Sequence, residues 1–117
     1  MTAGNAASRL VVLWTSGDKE VAEKMVFMYT LNARVREWWP EVTLIVWGPS
    51  ARLLANDADL QDYLPKLREA GVKVMACKAC TDSYGVSESL SSLGIEVKYM
   101  GEPFTHYLRG DYQVITI

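Results

Sequence analysis

The sequence predicts an α/β fold: a mainly parallel five-stranded sheet held between two helical layers, a three-layer α/β/α sandwich. Three observations predict it. Apolar runs alternate with helical patterns from end to end. The first two runs are apolar at almost every position, as strands buried on both faces are. The connections are short and carry Gly or Pro, so right-handed crossovers bring the loops after the strands to one edge of the sheet.

Leu10-Val11-Val12-Leu13-Trp14 is the first strand, followed by a turn at Thr15-Ser16-Gly17 and a long helix from about Asp18 to Trp38, stopped by Pro40. Val42 to Trp47 is the second strand, closed by Gly48-Pro49. Ser50 suits the N-cap of a short helix through Ala55. After Asn56 a helix puts Leu60, Tyr63, Leu64 and Leu67 on one face and ends at Gly71, with a kink or break expected at Pro65. Strand three spans Val72 to Ala76. The helical material after it divides at Gly85, with Ser87 as a cap, and stops at Gly94. Ile95 to Tyr99 is strand four, Gly101 to Leu108 a last short helix, and Tyr112 to Ile117 the fifth strand.

At 117 residues, half of them apolar, the chain is sized for one domain (1–117) with a core that needs no disulfide staples. Twelve basic against fourteen acidic residues give a net charge of −2 with no basic run, so the electrostatic footprint of a nucleic-acid binder is missing. No apolar stretch approaches the length of a membrane span, and Leu10 to Trp14 is too short for a signal-peptide core. A cytoplasmic location is expected, where thiols stay reduced and a close cysteine pair serves chemistry more often than bridging.

That pair is Cys77-Lys78-Ala79-Cys80, which holds both cysteines of the chain where strand three passes into a helix. Helix N-termini stabilise thiolates through unpaired N–H groups and dipole character. The residues leave several readings open. Both thiols can be small buried hydrophobes. A structural zinc site needs four ligands, and only Cys77, Cys80 and the lone His106 are on offer. A thiol–disulfide oxidoreductase also uses Cys-x-x-Cys at a helix start, but no Trp precedes the pair here. A persulfide carrier needs one exposed thiolate that accepts a sulfane sulfur, a role that suits Cys77 better than Cys80.

The sequence resembles the DsrE/DsrF-like family, which includes small sulfur-relay subunits related to TusD. The resemblance runs through the opening strand and long helix, Val42 to Ser50, Gly71 to Cys80 and Gly94 to Pro103. It implies a three-layer fold with a five-stranded sheet and, in relay members, a sulfur-accepting cysteine after a central strand, which Cys77 matches. Cys80 is no part of that relay pattern. The resemblance implies oligomers as well, with sulfur donor and acceptor proteins as partners, and no cofactor is expected.

Lys78 beside Cys77 can support a thiolate or simply be an exposed lysine, and His106 can donate a proton or lie on the surface. Thr15-Ser16-Gly17 suits a helix cap better than an anion site. On a helical wheel Val21, Ala22, Met25, Met28, Tyr29 and Ala33 face the sheet, while Phe27, Leu31 and Trp38 form a second stripe that needs a partner, so a homo-oligomer is expected. The expected function is sulfur transfer at Cys77 and Cys80. The alternatives are a non-catalytic binding or assembly subunit and a Cys-x-x-Cys redox protein.

Overall fold

Five parallel strands form the sheet in the order β4-β3-β2-β1-β5 in a computed structural model that describes residues 8–117. They are β1 (Arg9–Trp14), β2 (Glu41–Val46), β3 (Lys73–Cys77), β4 (Glu96–Lys98) and β5 (Gln113–Thr116). Successive side chains point to opposite faces, which sorts each strand's apolar residues into two cores. Leu10, Val12, Trp14, Leu44, Val46, Val74 and Ala76 belong to one; Val11, Leu13, Ile45, Met75 and Cys77 belong to the other. Every residue of β1 after Arg9 and of β2 after Glu41 is buried, as the all-apolar runs predict.

The first face carries most of the helices: α1 (residues 19–35), α2 (Pro49–Asn56), α3 (Ala58–Gln61), α4 (Tyr63–Glu69), α5 (Lys78–Tyr84) and α6 (Ser87–Ser92). The second is covered by α7 (Gly101–Arg109), none of whose residues is fully buried. The three-layer sandwich is therefore lopsided. Its cause is the connectivity: β1 to β4 step in one direction and lay their crossovers on one side, whereas the return from β4 to β5, beside β1, crosses on the other.

Helix α1 is composite, an α turn at Lys19–Val21, a π-helical segment at Ala22–Phe27 and an α stretch at Met28–Val35. The wider π turn puts residues four and five apart on one face, so Ala22, Val26 and Phe27 all point into the core. This corrects the wheel, which assumes a uniform α pitch. Phe27 is fully buried, its ring stacked on Tyr63 at 5.0 Å and edge-on to Trp14 at 5.1 Å, while Met25 and Met28 face outward, 43% and 51% exposed. Trp38 is exposed beyond the helix end, beside Tyr29.

The helix also stops earlier than Pro40 suggests. Glu37 takes a positive φ of 56°, and Glu37 and Trp38 N–H groups donate to the Arg34 and Ala33 carbonyls, a Schellman ending built without glycine. The break near Pro65 falls at Asp62. Pro65 thereby occupies the first turn of α4, where its missing N–H costs nothing. Ser50 is not a helix cap. Pro49 opens α2, and the buried Ser50 hydroxyl donates to the Trp14 carbonyl at 2.6 Å, tying the end of β2 to that of β1. Val86, not Ser87, sits at the N-cap of α6, and the Ser87 hydroxyl turns to Asp82 and Thr81.

Among the described residues, no helix is long and apolar enough to cross a membrane.

Candidate functional site

Parallel strands in register bring their carboxyl-end loops together. Val46 pairs with Ala76 and Cys77 with Lys98, so Trp47-Gly48, Cys77 and the residues after β4 meet at one edge. Cys77 is the N-cap of α5 with extended backbone (φ −73°, ψ 114°), and Cys80 lies three residues on, in the first turn. That spacing stacks two side chains on one face of a helix start. Both cysteines are free thiols packed at the same apolar cluster, and the Gly48 backbone and the Cys77 thiol are the polar groups that bear on the Cys80 thiol.

The two differ in access. Cys77 is 4% exposed, packed with Val11, Leu13, Ile45, Met75 and Met100. Cys80 is half-buried at the rim of the same cluster, with Trp47 and Phe104, whose rings meet edge to face at 5.5 Å. The expectation of an exposed Cys77 is therefore corrected: β3 extends through Cys77 and points its side chain into the thin-side core, and Cys80 is the thiol that solvent reaches. Burial pushes the Cys80 thiol above its ordinary value; the Gly48 N–H opposes this and the neighbouring Cys77 thiol adds to it.

Gly48 has φ 72° and ψ −141°, a region open in practice to glycine alone. This turn brings the Gly48 backbone to the Cys80 thiol. The sequence places the Gly48 to Ser50 loop at the same sheet edge as Cys77 but gives Gly48 no role beyond ending its strand. Trp47, Met100 and Phe104 were missed as site residues too, because nothing local links them to the cysteines.

Lys78 does not turn its charge on the thiols. Its ammonium pairs with Asp82 at 2.8 Å and lies 5.6 Å from the centre of the Tyr99 ring, and the Asp82 contact raises its pKa. His106 is exposed on α7, lining a groove of about 730 Å³ with Arg9, Tyr99, Tyr107 and Tyr112 that contains neither cysteine. Among the described residues no three His, Cys, Asp or Glu side chains cluster as a metal site requires, so Cys77, Cys80 and His106 do not converge. Asp18, rather than Thr15 or Ser16, caps α1, accepting the Val21 N–H at 2.9 Å.

The same architecture recurs in solved structures. A conserved protein of unknown function from Bacteroides thetaiotaomicron, BT1422, shares 36% identity over 99% of this chain and 100% of its own, with a TM-score of 0.92. The ychN protein of E. coli is 20% identical over 94% of this chain and 98% of its own, with a TM-score of 0.69. MTH1491 from Methanobacterium thermoautotrophicum, of unknown function, is 18% identical over 93% and 98%, also at 0.69. No match was found among curated proteins. The DsrE/DsrF-like family model matches residues 9–117, all of the sheet and every helix packed on it, so the chain belongs to the DsrE/DsrF-like family.

Proposed function

We propose that this protein transfers sulfur, accepting a sulfane sulfur as a persulfide at the Cys77–Cys80 pair and passing it to a second thiol. The observation that carries the reading is the pair itself: two free thiols at one helix start, at the carboxyl end of a central strand, one buried and the other half-buried at the rim beside the Gly48 backbone. A persulfide carrier needs a reachable sulfur beside a group that tolerates its negative charge. Cys80 and Gly48 meet that need. Family membership supports it, since the family includes sulfur-relay subunits.

Donor and acceptor proteins present sulfur to Cys80 past Trp47 and Phe104, in a reducing compartment such as the cytoplasm. Self-association is proposed with it, through exposed Met25, Met28 and Trp38 instead of the buried Phe27. The burial of Cys77 favours a second reading, a binding or assembly subunit whose thiols are packing groups.

Intact-mass measurement separates the two. The reduced protein, mixed anaerobically with glutathione persulfide, is expected to take up one sulfur atom that dithiothreitol removes, in passing in the wild type and stably in the Cys77→Ser variant. A chain that takes up no sulfur in any form, wild type or variant, is the packing subunit.

A further inference from the structure

One thiol is enough to carry sulfane sulfur, yet this site holds two, at the N-cap and in the first turn of one helix and packed at one apolar cluster, one at the rim and one beneath it. The inner thiol cannot meet a partner protein, and it is placed to meet whatever the outer one carries. Resting on the sulfur-transfer reading, we propose that the pair discharges its own persulfide as sulfide: Cys80 takes the sulfane sulfur and Cys77 displaces it.

The chemistry closes on the two residues. Cys80 bears the persulfide, Sγ–SH. Cys77 gives its proton to water, and its thiolate attacks the Cys80 Sγ. The bond from that Sγ to the terminal sulfur breaks; the terminal sulfur takes the bonding pair and leaves as hydrosulfide, HS⁻, while a Cys77–Cys80 disulfide forms. The two cysteines are oxidised by two electrons in all, and the sulfane sulfur is reduced from the zero-valent state to sulfide. An external dithiol returns the pair to its starting state by exchange, attacking at Cys80, the sulfur it can reach. The outgoing HS⁻ leaves past the open side of Cys80, beside the Gly48 backbone.

A single-thiol carrier holds its cargo until an acceptor thiol arrives. This pair empties itself, and its product is free sulfide plus a disulfide.

The test is a single turnover without added thiol. Reduced wild-type protein is mixed anaerobically with one equivalent of glutathione persulfide, and sulfide is measured alongside non-reducing intact mass, with the double Cys77→Ser/Cys80→Ser variant as background. Wild type is expected to release close to one sulfide per chain and to finish two hydrogens lighter with no added sulfur. Cys77→Ser, and Cys77→Ala as a packing-neutral second variant, are expected to keep the sulfur on Cys80 and release at least tenfold less sulfide. Wild type that keeps the sulfur and forms no disulfide overturns the self-discharge while the transfer reading stands. Sulfur retained only by Cys80→Ser reverses the roles and overturns it also. No uptake in any variant removes the transfer reading itself.

Discussion

The two faces of the sheet are built to different standards. On the thick side, helices α1 to α6 seal a core in which Trp14, Phe27, Leu44, Leu54, Leu60, Leu64, Leu67 and Leu90 are all but inaccessible. On the thin side, α7 lies across Val11, Leu13, Ile45, Met75 and Cys77 and leaves Trp47, Phe104, Tyr107 and Tyr112 half-buried. Buried apolar area scales with stabilisation, so the thick face holds the fold together and the thin face is left to hold a reactive pair at a partly open rim. One strand, β3, serves both: Val74 and Ala76 pack into the thick core and Met75 and Cys77 into the thin one.

The largest effect should come from the thick side. Phe27→Ala removes a fully buried ring along with its contacts to Trp14 and Tyr63, and is expected to cost about 3–5 kcal/mol in denaturant unfolding. That is a large part of the whole stability of a domain of this size. A loss under about 1 kcal/mol would mean that the division of labour between the faces is misdrawn.

Phe104→Ala on the thin side should cost less, about 1–2 kcal/mol, because the ring is only half-buried. It should instead speed native-state alkylation of Cys80 several-fold by opening the rim beside Trp47. A variant as unstable as Phe27→Ala would break the comparison from the other direction.

The smallest effect is one of pH. Because burial holds the Cys80 thiol above its ordinary value, thiolate remains scarce at neutral pH, and iodoacetamide labelling of native Cys80 should reach its midpoint at a higher pH than labelling of the same cysteine in the unfolded chain. Cys77 should be labelled only after unfolding. Peptide mapping across a pH series checks both, and a plateau below pH 8 would place the Cys80 thiol in an electropositive setting it does not have.

How far the sequence announces this arrangement depends on how local the cause is. Leu10 to Trp14 and Val42 to Val46 declare themselves as doubly buried strands because both faces of each are apolar. Cys77 and Cys80 declare a shared turn because their spacing alone puts them on one face. The π segment in α1 leaves no comparable mark, so Phe27 sits opposite its wheel position. Glu37 hides the helix end by taking a conformation usually left to glycine. Gly48 reaches Cys80 only through the pairing of β2 with β3, a long-range fact that no spacing carries. Cys77 was legible as a position and not as an environment, for the same reason.

The strand order has a consequence for how the molecule comes into being. Leu10 in β1 pairs with Val42 on one side and Gln113 on the other, so one flank of β1 waits for the chain's most distant strand. During synthesis, β1 to β4 and the thick-face helices can assemble while α7 and β5 are still missing. For that interval Cys77 has no cover from Met100 or Phe104 and keeps only its strand neighbours Val11, Leu13, Ile45 and Met75. The newly made chain is then more open to oxidation and to cross-linking with a neighbour than the finished one, and the arrival of residues 100–116 completes the shelter of Cys77.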